Sequence, residues 1–379
     1  MSAQPETTSA PSTARGGVAR ASVTLILSSF ASSAIGLGHW LVVAHQLTKE
    51  QVGLDSAVVN TVTLITTLGS LDLINAVPRL LPAAGSRAAR FITTAYLVAI
   101  VLALLITAVF LLGIRTWTPS IDYLLSDPTW TICFVVSVIV WSVFVLQDCV
   151  LIGFQRSQWI PLENISFAVA KLVCLIVLLD VAPRYAVLMS WTIPAIVFVV
   201  LVNVRLVRPI VIHEMADRPS TLPPTKSIVR SVIVGNSANI VGIVVGGSLP
   251  LLVTERLGPE ANASYYLAWT MAYVLFLAPR YVSLVVLSRA EHDPESFDDL
   301  SVDATLAAVT VVGVSVAVAV VAAAPLLGLV GSDYEGATVS LLRVMCLAAI
   351  PHCLCVMAGA WARGRGRLRI AIGITTVEY

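Results

Sequence analysis

The side chains of this sequence that are able to do chemistry stand inside long apolar runs. Asp72, Asp148 and Glu163 are carboxylates, Lys171 and Arg280 are cations, His39 is an imidazole, and Asn236 with Asn239 is a pair of amides three residues apart. A charge at the centre of a bilayer costs about 2.5 to 3.5 kcal/mol on insertion scales, so each charged group is expected either to be paired or to meet a ligand. Lys171 and Arg280 lie about two turns inside their runs, too deep to reach water easily. An ammonium or guanidinium at that depth suits an internal carboxylate or the oxygens of an anionic headgroup. Glu163, two turns before Lys171, is the expected counter-ion that an incoming anion displaces. Asp72, Asp148 and Glu163 lie near the ends of their runs, close in sequence to Arg79 and Arg156, and are expected to form a capping and ion-pair network there. His39 titrates in the range an ion-coupling group needs, although a lone histidine is more often a packing residue. Asn236 and Asn239 share a helix face and suit either ligand hydroxyls or hydrogen bonds between helices.

The elements that carry these residues follow from composition. With 58% hydrophobic and 12% charged residues and a mean hydropathy of +0.90, the solvent for most of this surface is lipid. Runs of about twenty apolar residues recur along the chain, and in hydrocarbon a helix satisfies its backbone within one such run. Ten spans are predicted, at about 21–45, 52–77, 91–114, 130–152, 160–181, 185–204, 231–253, 264–287, 302–325 and 338–361, with an eleventh beginning near Leu368. Sorting basic residues by alternate loops places sixteen on one side and only Lys49, Arg115, Arg184 and Arg256 on the other. That asymmetry puts the N-terminus and the loop after Arg205 in the cytoplasm. Residues 1–20 read as a disordered cytoplasmic tail, 21–204 as a first lobe, 205–230 as an extended proline-bearing linker and 231–379 as a second lobe. A shift of 210 residues aligns Arg20 with Arg230, Leu47 with Leu257, Glu50 with Glu260 and Arg79 with Arg289. The expected architecture is therefore all-α and polytopic, with two six-helix lobes in parallel repeat around a central cavity. The repeat expects further helix beyond Tyr379, so the second lobe reads as incomplete.

Several function classes lack their signatures. No G-x-x-x-x-G-K-[ST] loop occurs, and the external loops carry no paired carboxylates of the D-x-D kind. All six cysteines fall within apolar runs and read as packing residues, and the acidic run from Glu291 to Asp299 reads as a solvated cluster. No catalytic group, metal, cofactor or nucleic-acid partner is expected.

Three stretches together resemble the multidrug/oligosaccharidyl-lipid/polysaccharide flippase superfamily, in its bacterial polysaccharide and lipopolysaccharide export branch. They are A-H-Q-L-T-K-E-Q-V-G from Ala44 leading to P-R-L-L-P at Pro78, Q-D-C-V-L-I-G-F-Q-R from Gln147 followed by W-I-P-L-E-N at Trp159, and G-S-D-Y-E-G-A from Gly331. The resemblance implies two lobes that open alternately to each side of a bacterial inner membrane. It also implies a polyprenyl-pyrophosphate-linked saccharide as cargo, no ATP, and other polysaccharide assembly proteins as partners. In that setting Arg280, Lys171, Asn236 and Asn239 would hold substrate, and the first, second, seventh and eighth spans would line the cavity. A multidrug antiporter of the same superfamily is the main alternative, followed by a membrane glycosyltransferase or polymerase.

Overall fold

The computed structural model describes residues 32–236, 240–290, 297–367, 370 and 373–374. The N-terminal lobe holds α1 (32–46), α2 (Lys49–Ser70), α3 (Leu73–Leu80), α4 (Ala88–Trp117), the short α5 (Tyr123–Ser126), α6 (Pro128–Gly153), α7 (Ile160–Val181) and α8 (Ala186–Val202). The linker region carries α9 (Arg208–Ile210) and α10 (Thr225–Asn236). The C-terminal lobe holds α11 (Ile240–Leu257), α12 (Pro259–Ala290), α13 (Phe297–Gly328) and α14 (Ala337–Gly364).

Local chemistry fixes the helix starts. Thr48 caps α2 in a reciprocal box with Gln51, and Asp127 caps α6 by accepting from the Thr129 amide ahead of Pro128. Seven described helices are long and apolar enough to cross a membrane, and α1, α11 and α12 occupy the other three predicted spans. Large apolar side chains such as Leu105, Leu112, Val314 and Val321 face outward. Small residues fill the seam between α13 and α14, with Ala308, Val312 and Ala323 against Cys346, Ala349 and Cys353. This outward-apolar, inward-small pattern belongs to a multi-pass membrane protein whose helices approach closely through small residues.

The repeat is visible in the helix boundaries. Helices starting at Lys49, Ala88 and Pro128 are matched by helices starting at Pro259, Phe297 and Ala337, each within a residue of the 210-residue offset. The two copies differ at one point. The second span breaks at Leu71, whose φ of 48° is left-handed, whereas α12 runs through the corresponding stretch despite Pro279. Holding a leucine in that region costs on the order of 1–3 kcal/mol.

The linker differs from the extended stretch expected over residues 205–230. Helix α8 continues through π-turns at Asn203–Val207 and Val211–Met215, either side of Pro209. A π-turn widens the coil, which relieves the clash of a proline ring with the preceding carbonyls. Val207, Ile210 and Met215 are also buried in the apolar cluster that includes Leu73 and Ala84. Extended chain is thus confined to the stretch before Thr225. There it straps the α3–α4 loop, with the Ser86 amide donating to the Arg218 carbonyl at 2.8 Å and the Thr221 amide to Ala83 at 2.9 Å. Gly85 allows this approach: its φ is 49°, and a Cβ there would run into the Arg218 carbonyl.

The lobes meet along α2, which packs on both α11 and α12. A Cβ at Gly53 would collide with the Pro259 carbonyl. Asn262 donates to the Gly53 carbonyl at 2.8 Å and to Ser56 Oγ at 3.1 Å, Lys49 Nζ to the Asp333 carbonyl at 2.7 Å, and Asn60 to Gly247 at 2.6 Å. These bonds gather on the N-terminal half of α2, and beyond them the lobes enclose a cavity.

Candidate functional site

The cavity between the lobes has a volume of about 340 Å³ and draws its walls from α1, α2, α6, α7, α8 and α12. Aromatic rings dominate it. Trp40 of α1 packs edge-on against Tyr266 of α12 at 4.7 Å, while Trp141 of α6 lies tilted against Trp191 of α8 at 5.5 Å and Trp269 tilted against Tyr273 at 5.7 Å. Among the described lining residues one carries a charge, Lys171 of α7.

Lys171 is 5% exposed, and its ammonium lies 3.9 Å from the centre of the Trp191 ring and 6.0 Å from that of Phe167. No carboxylate pairs with it among the described residues. A desolvated cation over tryptophan gains on the order of 2 kcal/mol, which holds the side chain in place without neutralising it. The wall therefore presents the Lys171 amino group framed by π-faces.

His39 stands behind this wall, fully buried, its ring edge-on to both Trp40 and Trp191. Ser190 Oγ donates to the Val187 carbonyl at 2.7 Å, so its lone pairs accept from His39 Nε2 at 3.0 Å. That assigns the proton of a neutral His39 to Nε2 and leaves Nδ1 buried without a partner.

Glu163 is turned away from Lys171. Eight residues along one helix correspond to about 12 Å of rise, too far for an ion pair, and Glu163 instead accepts from the Gln147 amide of α6. Gln147 accepts from Asn203 at 3.3 Å, and Asn203 accepts from the Tyr96 hydroxyl at 3.2 Å. Glu163 Oε2 and Asp148 Oδ1 are buried without hydrogen bonds in this network.

The expected ion pairs with Arg156 do not form, because Arg156 bonds Glu214 at 2.8 Å once the continuation of α8 extends far enough to supply it. Asp72 accepts from the Asn75 amide at 2.7 Å, beside the α2–α3 break. Arg280 is exposed and does not line the cavity. Asn236 ends α10, and Asn239 lies outside the described residues.

Two features escaped the sequence reading. Asp55, nearly two turns into α2, lines a separate pocket of about 370 Å³ with Gln51, Tyr123, Trp130 and Arg184. Arg184 is already engaged by Asp127 at 3.2 Å. The Thr129 amide, then the Tyr185 hydroxyl and Arg184, hold the Asp127 carboxyl below its ordinary range. The other is the tryptophan cage. Tryptophan is usually interfacial, so Trp141 at mid-span was its available signal.

No family model matches the sequence, and no curated protein matches it. Solved structures do share the fold. An inward-facing conformation of a multidrug resistance MATE family transporter of the MOP superfamily aligns with a TM-score of 0.67 at 13% identity, covering 90% of this chain and 82% of that one. MATE in the straight conformation aligns at 0.64 and 14% identity, over 94% and 83%. An outward-facing conformation of a multidrug resistance MATE family transporter aligns at 0.62 and 14%, over 94% and 83%. At these identities the likeness is one of fold.

Proposed function

We propose that this chain carries an anionic amphiphile across a bacterial inner membrane by alternating access, and that the cargo is a polyprenyl-pyrophosphate-linked saccharide. The supporting observation is Lys171, a cation in the wall of the interlobal cavity that has no carboxylate partner among the described residues. An unneutralised ammonium attracts phosphate oxygens, while indole and phenol faces suit the C–H faces of sugar rings and repel neither the lipid nor the glycan. The arginine-rich end of the bundle, with the N-terminus, faces the cytoplasm in this reading. Lipid-linked cargo would enter from that leaflet, and the arrangement with the lobes joined along the N-terminal half of α2 would be the inward-open one.

A second reading is a multidrug antiporter, favoured by the fold neighbours and by the aromatic walls, which also attract organic cations. It has to accommodate Lys171, which repels such cations. Proteoliposomes separate the two readings. A fluorescent polyprenyl-pyrophosphate disaccharide, assayed by an impermeant quencher, should become accessible from the far leaflet, while ethidium under a pH gradient should not accumulate. Ethidium uptake without lipid movement establishes the antiporter; movement of neither cargo contradicts both readings.

A further inference from the structure

A slot of about 410 Å³ opens on the arginine-rich end of the N-terminal lobe and shares no lining residue with the central cavity. Its size falls in the range of small-ligand pockets. Its walls are Phe91 and Val98 of α4 and Val229 and Ile233 of α10, and its inner end reaches Leu71 at the break between α2 and α3. Val98, Val229 and Ile233 are 39%, 50% and 59% exposed, so the slot is continuous with the outward apolar surface.

The slot also has a charged end. Arg87 and Arg90 line it from the start of α4, three residues apart and hence on one helix face, and both are exposed. Neither pairs with a carboxylate among the described residues. The first turn of α10 joins them through Thr225.

We propose that this slot binds an anionic glycerophospholipid of the adjoining leaflet, with the phosphodiester between Arg87 and Arg90 and an acyl chain along Phe91, Val98 and Ile233. Charge complementarity selects the headgroup: two guanidiniums with no carboxylate partner among the described residues line the charged end of an apolar slot, the arrangement of basic lipid sites at the membrane edge. The apolar walls select a lipid over a soluble phosphate. A chain lying there would rest against Leu71 and against Leu222 and Pro223 of the strap. The lipid would thus brace the discontinuous helix that meets the other lobe and the segment that joins the lobes.

The test uses the full chain extracted from liposomes of equal phosphatidylglycerol and phosphatidylcholine, with bound lipid counted by native mass spectrometry. Phosphatidylglycerol should be retained over phosphatidylcholine. The double variant Arg87→Gln/Arg90→Gln should lose about 30-fold in that retention, on the order of fivefold per cation. Thr94→Trp, which fills the slot and leaves both arginines, should lose retention too, and Arg87→Lys/Arg90→Lys should keep most of it. The proposal is overturned if phosphatidylcholine is held equally well, if the glutamine pair binds as wild type does, or if Thr94→Trp leaves retention unchanged. In the last case the attraction is only surface charge. Should the glutamine pair not fold, the tryptophan and lysine variants decide alone.

Discussion

The two lobes share a helical plan and differ in what they bury. Buried His39, Asp72, Glu163 and Lys171 all belong to the N-terminal lobe. The buried polar side chains described in the C-terminal lobe are Thr254, Asn262, Ser283, Ser301 and Thr338, none of them ionisable. Positions 210 residues apart make the contrast concrete: Gln147 is fully buried and bonded to Glu163, whereas Met357 is 2% exposed in an apolar cluster. His39 corresponds to Leu249. The repeat supplied the frame, and the chemistry was placed in one copy. Buried polar networks in membrane proteins are costly unless satisfied, and among the described residues the buried acidic, basic and histidine side chains lie in one lobe.

The largest effect that would sharpen this division is expected at the lobe contact. Gly53→Val should disfavour the arrangement closed along the N-terminal half of α2 by about 3 kcal/mol, because the added atoms meet the Pro259 carbonyl and not a flexible side chain. Thiol labelling of a cysteine at Thr63, which lines the cavity, reads the shift; unchanged labelling would mean that the lobes do not touch there. Next come the two cores. Gln147→Met strips Glu163 of its donor, and Met357→Gln puts an amide into apolar surroundings. Each should lower stability by on the order of 1–3 kcal/mol, read from thermal unfolding in detergent. Tolerance of the glutamine at Met357 would break the comparison.

Lys171→Met should act in the opposite direction and raise stability by about 1–2 kcal/mol, since it removes a buried amine that has no counter-ion among the described residues. A loss of stability would mean that the ammonium is internally compensated. The smallest effect concerns Asp127. Its folded pKa is depressed, so its contribution to stability is present above the unfolded pKa and fades as the pH falls through the folded value. The stability difference between wild type and Asp127→Asn should therefore shrink below about pH 4.

Much of this frame was legible in the sequence because lipid imposes a simple rule: every long apolar run must be a helix, and helices at nearly every predicted span bear it out. The 210-residue offset also reappears in the helix boundaries. The linker was harder to read, since four prolines argue for extended chain and the π-turns around Pro209 depend on packing against the second core. The site was legible in part. Lys171 and Arg280 stood out by depth alone, but depth does not say which way a side chain faces, and of the two only Lys171 lines the cavity. Glu163 was assigned to Lys171 because they share a helix face, yet a neighbouring helix with Gln147 is closer than a partner two turns away. The aromatic cage comes from four helices and has no local pattern to find.

In the proposed function Lys171 holds the anion of the cargo, and equilibrium binding tests this most directly. Binding of a short-chain polyprenyl pyrophosphate to the full chain in micelles, followed by the tryptophan fluorescence of the cage, should weaken by roughly 10- to 150-fold in Lys171→Met and far less in Lys171→Arg, as expected for one charge-assisted contact worth about 1.5–3 kcal/mol. Equal affinity in wild type and Lys171→Met, with both proteins folded, would contradict it.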